Sequence, residues 1–206
     1  MKDAIQPLPE FLTAALPNPV RQRVLRKAER LFAQGDAVDA IFFVCRGRVK
    51  AVRALHNGMQ SVMLQATAGE FFAESALAVD AYVCDAVATE DSILWSLPAK
   101  DVLAALNAGG DFAKTFALAM AANARRQCSR YERVRLKRAR DRVLHLLICE
   151  GGPEASFTLT MPLVELAEEL ALEPETLYRV LRELTDEGLL ERSRTHLRLV
   201  GANAGD

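Results

Sequence analysis

The sequence has no uninterrupted apolar run of about 18 residues, the length a membrane-spanning helix needs. Its start, Met1-Lys-Asp-Ala-Ile-Gln-Pro-Leu-Pro-Glu10, lacks the basic-then-apolar order of a secretion signal. These two absences predict a cytoplasmic chain with no membrane partner. The four cysteines, Cys45, Cys84, Cys128 and Cys149, include no Cys-x-x-Cys pair, which argues against both a disulfide scaffold and structural zinc. Histidine is scarcer still, with only His56, His145 and His196. No metal-ligand set is expected from them, and a metal-dependent barrel enzyme of the cupin kind would need such a set on facing strands. No nucleophile-base-orienter set, Gly-rich phosphate loop or acid pair in a plausible cleft is visible, so no catalysis is predicted. Net charge is also missing: 26 Lys and Arg stand against 27 Asp and Glu, a formal charge of -1. Any affinity for nucleic acid must therefore come from local charge distribution.

That distribution is uneven. Arg125, Arg126, Arg130, Arg133, Arg135, Lys137, Arg138, Arg140 and Arg142 crowd one stretch, opposed only by Glu132 and Asp141. The 206 residues, 50% of them hydrophobic, suffice for two small domains, each with its own core. Residues 30–97 read as short strands at 40–45, 48–53, 62–65, 84–88 and 92–97. Turn signals lie at Gln34-Gly35-Asp36, Arg46-Gly47, Asn57-Gly58 and Ala68-Gly69, and such spacing predicts a β-sandwich or barrel. The preceding segments, 11–16 and 20–28, read as amphipathic helices.

After Gly109-Gly110 the pattern turns helical, with Asp111 placed to cap the start. Phe112, Phe116, Met120, Asn123, Gln127, Tyr131 and Val134 then form one stripe on a helix of roughly 25 residues, about 37 Å long. The stripe either packs on its own barrel or forms a parallel dimer seam in which Asn123 fixes register; the seam is favoured. A second helix spans about 137–150 and stops at Gly151-Gly152-Pro153. Then follow an extended Phe157-Thr-Leu-Thr160, helices at about 162–170 and 174–187, and two strands around a turn in 189–200. That order is a winged helix-turn-helix.

In the segment from Leu163 to Leu190, Leu166, Ala167 and Leu170 line one face of the first helix, and Leu177, Val180, Leu181 and Leu184 one face of the second. Glu175, Thr176, Tyr178, Arg179 and Arg182 then point outward, where the first turns of a recognition helix meet base edges. Arg179 suits a bidentate contact to guanine, and Glu175 can accept from a cytosine amino group. Alternatively, Glu175 and Arg179 form a helix-surface ion pair.

At these residues the chain resembles the Crp/Fnr family of bacterial transcription regulators, whose recognition segment commonly reads Leu-Ala-x-x-Leu-Gly-x-Ser-Arg-Glu-Thr-Val-x-Arg-x-Leu and closes on Glu-Gly-Leu or Glu-Gly-Ile. The matching positions are Leu166, Ala167, Leu170, Glu175, Thr176, Arg179, Leu181 and Glu187-Gly188-Leu189. Ala171 stands where the family prefers Gly, Glu173 where a Ser or Thr cap is usual, and Pro174 where Arg often sits. Leu31-Phe-Ala-Gln-Gly-Asp36, Ile41-Phe-Phe-Val-Cys-Arg-Gly-Arg-Val-Lys50 and Gly69-Glu-Phe-Phe-Ala-Glu-Ser-Ala-Leu77 resemble the family's cyclic-nucleotide-binding-type barrel.

The resemblance implies an α+β chain: an N-terminal antiparallel jelly-roll β-barrel over 1–110 as sensor, a dimerisation helix over 111–136, and a winged helix-turn-helix over 137–206. It implies a homodimer that reads a palindrome of two half-sites in double-stranded DNA and works with RNA polymerase. In relatives that bind cyclic nucleotides, an acid holds the ribose and an Arg-Ser pair the phosphate. Here Glu74 keeps the acid, preceded by Ala73, but Tyr82-Val83 replaces the pair, and no Arg or Lys occurs between Glu70 and Lys100. A buried phosphate without a cation is costly, which argues against cyclic AMP. The absence of any cysteine before Cys45 argues against an iron-sulfur cluster. His56, in a hairpin turn, is a poor haem ligand, so the effector stays open.

The expected effector pocket comprises Glu74, Tyr82, Val83, Cys84, Gln127 and Cys128. Cys84 lies beside that pocket by the resemblance, and Cys128 sits on the dimer helix where the pocket closes. Asp85 opposes a thiolate at Cys84, whereas Arg125 and its basic neighbours favour one at Cys128. Each thiol is either a redox or metal-capturing switch or a small buried hydrophobe. From Arg138 onward acids outnumber bases, which predicts weak, salt-sensitive non-specific DNA binding. The alternative to a regulator is a sensor subunit that carries the barrel but binds no DNA.

Overall fold

The structure, a computed structural model, describes residues 7–16, 20–54 and 60–201. The Asn57-Gly58 turn and His56 lie outside the described residues. The chain divides into two compact units, Met1–Ala121 and Ala122–Asp206.

The first unit opens with a short helix, α1 (Glu10–Thr13), followed by eight strands: β1 (Arg21–Leu25), β2 (Arg30–Phe32), β3 (Ala40–Arg46), β4 (Arg48–Ala54), β5 (Gln60–Thr67), β6 (Phe71–Phe72), β7 (Asp85–Ala88) and β8 (Ser92–Pro98). Helix α2 (Ala99–Ala108) and the start of α3 (Gly110–Arg135) complete it. The strands form two four-stranded sheets, β1-β8-β3-β6 and β2-β7-β4-β5, antiparallel throughout. This is the flattened, two-sheet form of the expected jelly roll; the two sheets share no ladder among the described residues.

Strand β3 shows why the sequence reads as a continuous apolar run. Phe42 and Val44 enter the core shared with β2, β4 and β7, whereas Ile41 and Phe43 pack with Leu12, Val102 and Phe112 of the helices. With both faces covered, alternation disappears. Gly47, between β3 and β4, has φ +82°, and a Cβ there would lie 2.4 Å from Ser92 Oγ; only glycine fits that approach.

The segment read as a helix at 20–28 is instead β1, paired with β8 from Arg21 opposite Ser96 to Leu25 opposite Ser92. Only Leu25 of this strand is buried. So short a segment carries little periodic information, and the backbone groups of β8 decide its conformation.

Helix α3 also differs from expectation. It begins at Gly110, so Asp111 lies in its first turn. Phe112 and Phe116 are buried inside the protomer, Phe116 meeting Phe71 edge-on at 4.9 Å. These two side chains are therefore core residues of the first unit, not open seam residues. The unit boundary accordingly falls within α3, between Ala121 and Ala122, beyond the position 110 drawn from the Gly-Gly signal.

In the second unit, α4 (Ala139–Glu150), β9 (Ser156–Thr158), α5 (Leu163–Glu169), α6 (Pro174–Asp186), β10 (Leu190–Arg192) and β11 (His196–Leu199) follow the end of α3. The sheet order is β10-β11-β9. Leu166, Ala167 and Leu170 close on Leu177, Val180, Leu181 and Leu184 as their spacing predicts, with Val143, Leu146 and Leu147 of α4 completing the core. Each fully buried leucine contributes about 1.5–3 kcal/mol of hydrophobic stabilisation.

Ala171, at the turn between α5 and α6, has φ 51°. The left-handed region costs a Cβ-bearing residue roughly 1–2 kcal/mol. Ala171→Gly is therefore expected to stabilise the second unit by about 1 kcal/mol, measured by denaturant unfolding; an unchanged or lowered midpoint would show that the turn is unstrained.

Candidate DNA-reading surface and sensor pocket

Helix α6 has two faces. Leu177, Val180, Leu181 and Leu184 are buried, while Glu175, Tyr178, Arg179 and Arg182 are exposed and Thr176 is half-buried. The helix starts on Pro174 with no side-chain cap from Glu173, so the first-turn N–H groups lack the usual serine or threonine acceptor. Arg179 pairs with Glu183 at 2.9 Å, one turn onward, instead of with Glu175, and Arg182 lies 3.7 Å from Asp186. These are exposed i,i+4 pairs of the kind worth a few tenths of a kcal/mol, so a phosphate or guanine can displace the acid cheaply.

Three features around the reading helix were hidden in the sequence. Arg142 on α4 donates to the carbonyl oxygens of Leu136 (2.8 Å), Val134 (3.3 Å), Leu170 (3.1 Å) and Ala171 (2.7 Å). It joins the end of α3 to the end of α5. Arg140 makes a two-pronged contact to Glu187 at 2.7 and 2.6 Å, and its guanidinium holds the Glu187 carboxyl below the ordinary range. This gives the acid of the Glu-Gly-Leu motif a structural task at the end of α6. Third, the β10–β11 hairpin tip is a tight turn in which Ser193 Oγ accepts from the backbone N–H of Thr195 and of His196. It presents Arg192, Arg194 and Arg198 to solvent. Arginines at 192, 194 and 198, an even number of residues apart along a hairpin, were the available signal.

In the first unit a cavity of about 160 Å³ lies between the sheets and the 3₁₀ turn Glu74–Ala78. Its wall consists of Phe32, Ala51, Met63, Leu64, Phe72, Ala73, Ser75, Ala76, Val79, Tyr82, Val83 and Cys84. Three expected pocket residues, Tyr82, Val83 and Cys84, are thus brought together. Glu74 is half-buried in the turn without being part of this wall. Gln127 and Cys128 belong to the second unit, on an exposed stretch of α3.

The described wall residues include no charged side chain. The Tyr82 hydroxyl donates to Ala40 O at 2.6 Å, its ring stacks on Phe32 at 3.7 Å, and burial pushes its pKa up to about 12. Burial also raises the Cys84 thiol, opposed by Arg53 and reinforced by Asp85; Cys84 is a neutral part of the wall at pH 7. Arg53 lies outside the stretch between Glu70 and Lys100, in which the sequence has no cation. It stands at the end of β4, and its Nε and Nη2 donate to the Val83 carbonyl at 3.3 and 3.1 Å. The ladder that pairs Val52 with Asp85 brings it there.

Along α3, the remaining stripe residues stay open: Met120 and Asn123 are half-buried, and Gln127, Tyr131 and Val134 are exposed. Tyr131 carries Arg135 over its ring at 5.4 Å. No helix among the described residues is long and apolar enough to cross a membrane.

Comparison with known proteins places these two sites in context. Residues 22–108 match the cyclic nucleotide-binding domain, and residues 141–203 the Crp-like helix-turn-helix domain. A cyclic AMP receptor protein of Thermus thermophilus is 28% identical over 185 residues, spanning 88% of this chain and 84% of that protein. The crystal structure of the Thermus thermophilus catabolite activator protein is similar with a TM-score of 0.50 at 27% identity, over 95% of this chain and 92% of that one. FixK2 from Bradyrhizobium japonicum shares the fold with a TM-score of 0.70 at 19% identity, over 90% and 94% of the two chains.

Proposed function

Because the chain belongs to the Crp/Fnr family and is a DNA-binding transcription regulator, we propose that it acts as a homodimer reading a palindrome of two half-sites, gated by an effector or by thiol oxidation. The observation that carries this reading is the outward face of α6, where Tyr178, Arg179 and Arg182 stand exposed opposite four buried core residues. Two copies of that face, joined through the open part of the α3 stripe, would enter successive major grooves about one helical turn apart. The exposed wing arginines are suited to the flanking phosphates. A regulator of this kind works in the cytoplasm with RNA polymerase as its final partner.

Gating would act by population shift: a signal that favours one packing of the two α3 helices also favours one spacing of the reading helices. Cys128, exposed on α3, is the thiol best placed for an oxidative signal. Cys84, neutral in the cavity wall, is suited to contact an effector.

Selection from a random DNA pool tests the reading, once with fresh reductant and once after mild oxidation. The expected result is a palindromic site, and dependence on oxidation that Cys128→Ser removes would assign the gate. Recovery of no sequence in any condition, with candidate effectors supplied, would favour the sensor subunit that binds no DNA. The seam has its own test. Val134→Glu is expected to move the protein from dimer toward monomer in sedimentation; an unchanged dimer would place the seam elsewhere.

A further inference from the structure

The sheet cavity and Arg53 together specify a ligand class. We propose that this cavity binds a small aromatic carboxylate, one ring in size, with its ring against Phe32, Phe72 and Tyr82 and its carboxylate at Arg53. The inference rests on the regulator reading for its consequence, but not for its binding chemistry.

Size comes first. The cavity measures about 160 Å³, well below the roughly 300–1,000 Å³ of pockets that hold drug-sized molecules. An apolar cavity of about 150 Å³ is enough for benzene. One ring fits the space, whereas a purine, a ribose and a phosphate together do not.

Wall chemistry points the same way. The phenol of Tyr82 is committed to Ala40 O, which leaves Ser75 as the remaining hydroxyl among the described wall residues. Three aromatic side chains cluster there, Phe32 lying 3.7 Å from Tyr82 and 6.1 Å from Phe72 between ring centroids. Such a wall favours an aromatic guest through offset or edge contacts.

The positive charge felt at the wall comes from Arg53, against the negative charge of Asp85. Arg53 anchors on the carbonyl of Val83, a wall residue, and its positive charge is felt at Cys84, another wall residue. A guanidinium has five N–H donors in a planar fork, and the Val83 carbonyl engages those of Nε and Nη2. The fork geometry suits a carboxylate. The cation is tied to the wall through Val83 and the described wall residues are apolar but for Ser75 and the committed Tyr82 hydroxyl, so the guest should carry its acid at one end and no polar group at the other.

The test uses the full chain and measures thermal unfolding against increasing benzoate, phenylacetate, the neutral phenylacetamide and cyclic AMP. Phenylacetate or benzoate is expected to raise the melting temperature in a saturable way, with phenylacetamide at least tenfold weaker. Arg53→Gln, an exposed substitution that leaves the core intact, is expected to weaken the acid at least tenfold, read as the ligand-induced shift from the unliganded variant's own melting temperature. Ala76→Leu, which narrows the cavity, should abolish binding of acid and amide alike. Equal binding of the acid to the Arg53→Gln protein, tighter binding of cyclic AMP than of either acid, or no shift with either acid would each overturn the proposal. DNA binding is scored separately on the selected palindrome. A chain that binds the acid but no DNA would remove the regulator reading and leave the ligand class standing.

Discussion

Arg142→Met is expected to destabilise the second unit by about 2–4 kcal/mol while leaving the first unit unchanged. The last turn of any helix has carbonyl oxygens with no intrahelical partner, and arginine near a C-terminus can satisfy them. Here one guanidinium serves the ends of two helices, reaching Val134 in the last turn of α3 and Leu136 just after it, and Leu170 and Ala171 after α5. Hydrogen bonds from a charged donor are worth about 1.5–3 kcal/mol each in favourable cases; several of these acceptors can recover water once the side chain is gone, which limits the total. Methionine keeps the apolar stem and removes only the donors. The two units can be followed separately, because the single tryptophan, Trp95, lies in the first. Its fluorescence transition in urea should stay in place while the transition in helical ellipticity moves to lower urea. Arg142→Lys should recover less than half of the loss, because an ammonium cannot span four acceptors at once. Coincident movement of both transitions would show that Arg142 supports the whole chain, and no movement would show that its bonds are surplus.

Arg179→Ala is expected to cost about 1–3 kcal/mol of affinity for each half-site, so that a dimer on its selected palindrome loses between one and four orders of magnitude. The loss should concentrate at one base pair of the half-site and relax the preference there, as removal of a base-reading arginine does. A uniform loss across all sequences, with a shallower salt dependence, would instead make Arg179 a phosphate contact. Glu183 provides the internal control. It holds Arg179 at 2.9 Å in the free protein, so Glu183→Gln should release the guanidinium and also remove a negative charge from the surface facing DNA. Binding should tighten a few-fold in titrations at low salt, and the gain should vanish when combined with Arg179→Ala. A gain that persists in the double variant would be general charge relief.

Most of the second unit's core was legible in the sequence. Periodicity alone separated Leu177, Val180, Leu181 and Leu184 from Tyr178, Arg179 and Arg182, because a 3.6-residue period leaves a helix of this length only one face to bury. Strands β3, β4, β5, β7 and β8 were legible for a related reason: glycines at 35, 47 and 69 all take positive φ and mark turns between the runs, whereas the two-residue β6 left no signal. Periodicity was blind where an element is short or its partner is distant. Residues 21–25 pair with a strand some seventy positions later, and nothing inside those five residues records that ladder. The α3 stripe read as one line, packed on the barrel or, as favoured, forming a seam, because spacing gives direction around the helix and says nothing about what each part meets. Phe112 and Phe116 found Phe71 within the same protomer.

The chemistry of both sites divides in the same way. By itself the sequence determined where the two helices of the helix-turn-helix lie, which residues of the second face outward and that no Arg or Lys lies between Glu70 and Lys100, since each depends on residues close together in the chain. Only the tertiary structure decided that Arg53 stands beside Val83 and Cys84, that Arg142 binds the ends of α3 and α5, and that Glu187 is tied to Arg140. These are contacts between residues thirty or more positions apart for Arg53, nearly thirty for Arg142 and α5, and almost fifty for Arg140. A charged side chain carries no mark of its partner. Its role is set by which carbonyl or carboxylate the folded backbone brings within about 3 Å, and that distance exists only once the sheets and helices have packed.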